Sequence, residues 1–541
     1  MKNYIIILIA ALFVSSCASD YLDTEPTTST TPEKLFEDLE GAQIVMDGIY
    51  RLTYVAGYVS SSYIDQSFGI SAITLANEFM GEDMTMNEEG RGWFLDDYRY
   101  TVRQGYTNKN SRSYGTWFFY YSLILNCNGI LDVIDDIISD DEVLRANIKA
   151  QALSMRAYCY FGLIQTYQQA YIGNEDAPGV PIYTTATTIE TRGNGRGTVE
   201  EVYTRINDDL TEALELFSKT TTAANKSHID YFVAHGFRAR VKMAQNEWKE
   251  ALESAKIAMT KGQMIPLEDL IPTDVDTWGR MDTVSYAREG AYNFNDVSNK
   301  SVLWGVSINE EQSTGFMSFF SHMDSQVQSY AYYSRKCISN WLYNQIPKYD
   351  VRVLMWQPVV TYEDNRGPLF PYNQLKFKFL NSSTMTGDYI YMRYEEMLLT
   401  KAEAECRLGR QQEARATLKE LLVDRYNEAK KSQIDSILNS YDGITLTIDD
   451  SNGPTTPIGG AVTLLDKIIL ERRIELWGEQ NRLWDIKRLG VGFTRRFNGT
   501  NHFQTLSTLN TDVESKEFVM PIPQSEFDAN ESMTSADQNP L

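Results

Sequence analysis

Asp209-Leu-Thr-Glu-Ala-Leu-Glu215, Glu247-Trp-Lys-Glu-Ala-Leu-Glu253 and Arg410-Gln-Gln-Glu-Ala-Arg-Ala416 are three copies of one phrase, with Glu-Ala at the same point of each. Ala213 and Ala251 stand 38 residues apart, close to the ~34-residue period of tetratricopeptide helix pairs. Around the second copy, Ala239, Ala251, Ala255 and Ala258 are small enough to let two helices approach closely, and Trp248 sits where such a repeat places a bulky wedge. Ala402, Ala404, Gly409 and Ala414 do the same around the third. Ala251 and Ala414 are 163 residues apart, so the array is interrupted.

The interruption has its own composition. Residues 266–390 lose the helical period, contain six prolines and hold 21 aromatic residues, a density above the 12% of the whole chain. Such a stretch predicts irregular structure with short strands and a few helices, one of them over Ser339–Gln345. A long insertion in a helical array is where a binding face tends to be built. Before it, amphipathic patterns predict helices at Phe36–Tyr50, Trp117–Ile138 and Asp141–Gln169. After it, Leu464–Leu489 reads as one charged helix. Its Glu471, Arg472, Glu475 and Arg482 are expected on a solvated face or in interhelix pairs.

At the N-terminus, Lys2 precedes the apolar run Tyr4–Val14, then Ser15-Ser16-Cys17. Eleven apolar residues are too few to span a bilayer as a helix, which takes about 20. They fit a signal peptide over residues 1–16. The cysteine after small residues resembles a bacterial lipobox, with Val14 in place of the usual leucine, so Cys17 is the expected lipid attachment point. Residues 17–33 then form a tether. The remaining cysteines, Cys127, Cys159, Cys337 and Cys406, show no CxxC spacing and are expected as buried free thiols.

Composition excludes several classes. In 541 residues, 50 Lys+Arg face 73 Asp+Glu, and the net charge of −23 argues against nucleic-acid binding, which needs a basic face. The four histidines, His228, His235, His322 and His502, are not spaced as zinc ligands on one helix turn. No GxSxG or HExxH motif is present. Asp274, Asp276, Gly279 and Asp282 match part of a calcium loop, but Trp278 and Ser285 occupy ligand positions. No metal, cofactor or catalytic residue is therefore expected.

Ordered phrases along the chain resemble the SusD/RagB family of outer-membrane nutrient-uptake lipoproteins. They run from Asp20-Tyr-Leu-Asp23 through Asn128-Gly-Ile-Leu131, Ala152–Phe161, Pro178-Gly-Val-Pro-Ile182 and Gly197–Tyr203. They continue with Tyr349-Asp-Val-Arg352, Arg393–Ala404, Ile469–Leu476, Arg482–Arg488 and Phe518–Pro523. The resemblance implies a mainly α fold over 34–541: a tetratricopeptide-like scaffold of about four helix pairs in 34–265 and 391–541, with 266–390 as the insertion. It also implies a cell-surface lipoprotein of the outer membrane that binds oligosaccharides without catalysis. It would deliver them to a TonB-dependent SusC-like transporter.

A sugar presents a C–H face and a rim of hydroxyls, so it is best met by flat rings with polar groups beside them. Trp93, Tyr98 and Tyr100, with Arg91, Asp96 and Asp97, follow a polar glycine-bearing loop and form one candidate platform. Tyr330, Tyr332 and Tyr333, with Trp278 upstream, form a second. Trp117, Phe118, Tyr120, Tyr121, Trp248, Trp341, Trp477 and Trp484 read as structural. A peptide-binding member of the same family, a secreted glycoside hydrolase and a purely protein-contacting scaffold are the alternatives.

Overall fold

The computed structural model describes residues 35–541 apart from 58–63, 87–91, 108–111, 221–224, 271–293, 357–370, 442–461, 480, 504–509 and 512–514. The expected signal peptide, lipidation site Cys17 and tether, together with Arg91 and Trp278, lie outside the described residues. The fold is mainly α. Eight helices follow one another as a packed series: Arg112–Leu131, Glu142–Tyr167, Val199–Phe217, Tyr231–Ala244, Trp248–Met259, Tyr394–Arg407, Gln411–Val423 and Leu464–Glu475. The last packs mainly against Tyr394–Arg407.

Local chemistry sets these boundaries. Thr198 and Glu201 form a reciprocal capping box at the start of Val199–Phe217, and Thr463 does the same with Asp466 at Leu464–Glu475. The Asp230 carboxylate accepts from the backbone of Phe232 and Val233 at 3.1 and 3.0 Å. Asp209, from the first repeat phrase, is buried and receives both Nε and Nη2 of Arg156 at 2.8 and 2.7 Å, which ties two helices together.

The repeat phrases meet in space despite the insertion. Trp248–Met259 packs directly on Tyr394–Arg407, with Ala255, Ala258 and Ala402 fully buried. Trp248 lies under the Arg407 guanidinium, 5.0 Å from its ring centre, and so wedges these two helices. Close approach is also required at Gly236, where a Cβ would fall 2.3 Å from Met392 Sδ. The insertion closes on itself at its base, where Val302–Val306 pairs antiparallel with Tyr389–Arg393. The short helix inside it spans Asn340–Gln345, as expected.

Two helix expectations are corrected. The predicted Trp117–Ile138 helix begins earlier and ends at Leu131. Asp132, Asp135 and Asp136 follow, and carboxylates at a helix C-terminus oppose its dipole. The predicted Leu464–Leu489 helix is two, Leu464–Glu475 and Arg482–Leu489, parted at Gly478. Gly478 has φ +79°, and a Cβ there would meet Phe377 at 2.7 Å.

Of the two expectations for the charged residues of this region, pairing holds and solvation does not. Glu471, Arg472, Glu475 and Arg482 are all buried. Arg425 donates from Nε to Glu475 Oε2 and from Nη2 to Oε1, each at 3.0 Å. Arg352 joins Asp350, Glu471 and Glu475, while Arg393 joins Glu395 and Glu479. Burial alone would raise the Glu475 pKa, but the Arg425, Arg393 and Arg352 guanidiniums override it and hold this carboxyl well below its usual range. Cys127, Cys159, Cys337 and Cys406 are free and buried.

Candidate functional site

A two-stranded ribbon creates the site. Met84–Met86 pairs antiparallel with Lys336–Ile338, in register Met84 to Ile338 and Met86 to Lys336. It clamps the N-terminal loop to the insertion, and the rings of the two predicted platforms meet beside it. Trp93 and Tyr330 lie with ring centres 4.6 Å apart, and Phe316 extends the row at 6.3 Å from Tyr330. Trp93 and Tyr330 are half-buried and Phe316 is 47% exposed, so the row offers ring surface to solvent.

The rings are held from below. Trp93 Nε1 donates to Asp65 Oδ2 at 2.6 Å, and the Phe94 backbone N–H donates to Gln66 Oε1 at 2.6 Å. Phe94 has φ +60°, a left-handed conformation that costs an L-residue about 1–2 kcal/mol. That turn drives Phe94 inward against Phe68, Phe79 and His322, and leaves its neighbour Trp93 facing out. Phe94 is fully buried and also lies under the Arg112 guanidinium at 5.3 Å.

His322 is the floor of the row. Its ring stacks on Tyr330 at 4.7 Å and 24°, and Nε2 donates to the Asp65 carbonyl at 2.6 Å. Burial, then the nearby Lys336, depress the imidazole pKa well below its ordinary value, so the ring is neutral with its proton on Nε2. Burial likewise lowers Lys336 to about 7. The uncharged imidazole therefore backs Tyr330 as a flat stacking partner.

The predicted candidates divide. Tyr332 is 44% exposed under the Arg335 guanidinium at 5.6 Å, and Tyr333 accepts from Gln328 Nε2 at 3.0 Å; both follow Tyr330 on the short helix Tyr330–Tyr333. Asp96 is exposed and accepts from Thr101 Oγ1 at 2.8 Å. Tyr98, Tyr100 and Asp97 are corrected to core positions, because all three are buried. The Tyr98 hydroxyl meets His502 Nδ1 at 2.8 Å and its ring lies under Arg495 at 4.2 Å. Tyr100 donates to the Met80 carbonyl, and Asp97 pairs with Arg112 at 3.3 Å. Their inward turn follows from the short helix Leu95–Arg99, which the sequence reads as an open loop.

Three partners of the row were not singled out by sequence. Phe316 is one aromatic among many in the insertion, and only its position after Gly315 hints at a turn. Asp65 and His322 act through backbone and ring contacts to residues far away in sequence, which no local pattern encodes. Chemically, the row provides a ribbon of ring faces bordered by carboxylate, amide and guanidinium groups. It suits stacking of a polyhydroxylated ring, each contact contributing about 0.5–1.5 kcal/mol.

Comparison with known proteins agrees with the fold. Residues 20–243 match a family model described as starch-binding and associating with the outer membrane, and residues 282–541 match that of the SusD family. SusD-like protein P38 of Formosa agariphila is 23% identical over 519 residues, covering 89% of this chain and 90% of that one. The crystal structure of a SusD-like carbohydrate binding protein from Bacteroides vulgatus superimposes with TM-score 0.70 at 25% identity, over 93% of this chain and 98% of that one. Surface glycan-binding protein A from Bacteroides uniformis shares the fold at TM-score 0.61 and 16% identity, over 92% and 99%. From the interrupted tetratricopeptide-like array to the C-terminal helices, this chain belongs to the SusD/RagB family.

Proposed function

We propose that this protein captures oligosaccharides on the Trp93–Tyr330–Phe316 row and passes them unchanged to a TonB-dependent SusC-like barrel, while a lipid on Cys17 holds it at the cell surface. Membership in a family of outer-membrane-associated carbohydrate-binding proteins supports the general class. The observation that carries the reading is the meeting of Trp93 and Tyr330 at 4.6 Å over a neutral floor. Few stacking contacts give weak binding, which suits a protein that must release its cargo. Among the described residues no helix is long and apolar enough to cross a membrane, and the attachment proposed is the lipid on Cys17.

Native affinity electrophoresis of the mature protein against a polysaccharide panel tests capture, with chromatography of the recovered glycan as the check on turnover. Retardation by at least one glycan, a marked weakening of that retardation in Trp93→Ala and intact recovered glycan are expected. Binding to peptides and to no glycan points instead to peptide cargo, and shortened glycan to a hydrolase. Cys17→Ala is expected to move the protein from the membrane fraction to the soluble one in a strain lacking the neighbouring barrel.

A further inference from the structure

A second ringed concavity lies away from the row. A groove of about 570 Å³ runs between the outer face of Arg112–Leu131, the segment 183–193 and the short helix Gln524–Ala529. This is within the roughly 300–1,000 Å³ typical of small-ligand sites. On its helical wall, Tyr114 and Phe118 stack nearly parallel, 5.7 Å apart at 17°, and Phe118 is 39% exposed. The sequence reads Phe118 as structural, and its ring nonetheless reaches solvent on this wall. Trp117 and Tyr121 deepen the wall, with ring centres 4.8 Å apart.

The opposite wall is hydroxylic, with Thr185, Thr187, Thr188 and Thr191. Among these, Thr188 and Thr191 bond one another's loop, while the Thr185 and Thr187 hydroxyls take no partner among the described residues. No lysine or arginine lines the groove, and its one charged residue is already engaged. Glu526 accepts from Trp117 Nε1 at 3.1 Å on one oxygen and from Asn530 Nδ2 at 2.8 Å on the other. Ring faces opposite hydroxyls, without an unpaired charge, complement a ligand with C–H faces and hydroxyl rims. A chain of net charge −23 with no cation in the groove disfavours an anionic ligand.

We infer that this groove is a second binding site for neutral glycan, separate from the Trp93–Tyr330 row. The inference rests on the proposed capture of glycans. Both sites are built on one helix: its first residue, Arg112, bonds Asp97 and the Gln66 carbonyl below the row, and the next turns line the groove. A protein with two such sites retains a polymer longer than one with a single weak site.

The test compares wild type, Trp93→Ala, Phe118→Ala, Thr185→Arg and Trp93→Ala/Phe118→Ala by native affinity electrophoresis. The gels contain soluble starch, laminarin, xyloglucan, arabinoxylan or galactomannan. Thr185 is exposed on a loop, so Thr185→Arg blocks the groove without touching the helix should Phe118→Ala misfold. Phe118→Ala and Thr185→Arg are each expected to weaken retardation three- to tenfold on a glycan that binds wild type. Trp93→Ala should keep residual retardation that the double variant loses. Wild-type retardation in both groove variants, or complete loss in Trp93→Ala alone, overturns the groove and leaves the capture reading standing. Loss in the groove variants with none in Trp93→Ala supports the groove and overturns the row. No retardation of wild type by any of the five glycans overturns both.

Discussion

Trp93 and Phe94 are neighbours with opposite duties, and the left-handed turn at Phe94 separates them. Phe94 is fully buried among Phe68, Phe79 and His322, so Phe94→Ala opens a cavity and is expected to cost about 3–5 kcal/mol of stability, read by urea unfolding. Trp93 is half-buried and keeps one bond to Asp65, so Trp93→Ala should cost about 1 kcal/mol while removing most of the glycan affinity. Equal stability losses in the two variants would place Trp93 in the core. Residue types alone marked Trp93 and Tyr330 as candidates, but not that they touch. Trp93, Tyr98 and Tyr100 look alike in sequence because a ring says nothing of its direction. A five-residue helix turned Tyr98 inward, and that helix has too few residues to leave a period.

Long elements were legible where periodicity was sustained, as in Glu142–Tyr167, which nearly fills the expected Asp141–Gln169 span and is capped by Asp141. The charged C-terminal region was less so. Glu471, Arg472, Glu475 and Arg482 read equally as a solvated face or as interhelix pairs, and no local pattern shows that the partners of Glu471 and Glu475, namely Arg352, Arg393 and Arg425, arrive from three distant segments. Removing one partner leaves the other charge buried and unpaired. Arg425→Met is therefore expected to cost about 3–5 kcal/mol, measured by urea unfolding at pH 7. The sign with pH follows from the depressed Glu475 pKa. The ionised carboxylate is stabilising above its unfolded pKa of about 4.3, and that contribution fades as pH falls toward the lower folded value. Below about pH 4 the gap between wild type and Arg425→Met should narrow, and a gap unchanged with pH would mean that Arg425 acts by packing alone.

At the scale of the whole molecule, the repeat phrases foretold a helical frame, and the insertion foretold where rings would gather. What joins them, the Met84–Met86 to Lys336–Ile338 ribbon, is three residues long on each side and has no alternating signature, so the site's assembly was hidden. The joined body also holds three buried histidines in neutral form. Burial, ahead of nearby arginines, depresses His235 to about 4 and His502 to about 3, and burial with Lys336 holds His322 well below its ordinary value beneath the ring row. Below about pH 6.5 the unfolded chain takes up protons that the folded chain refuses, so stability falls as acid is added. Each group contributes up to about 1.4 kcal/mol per pH unit between its unfolded and folded values. His502 isolates one of these slopes. Its Nδ1 faces the Tyr98 hydroxyl and its Nε2 donates to the Glu82 carbonyl at 3.1 Å, contacts that His502→Asn loses at every pH. The variant should therefore be less stable than wild type at pH 7.5. Having no imidazole to protonate when unfolded, it should also lose stability more slowly on acidification. Urea unfolding at pH 7.5, 6.5 and 5.5 is expected to show the two proteins converging, and parallel curves would mean that His502 takes up its proton equally in both states.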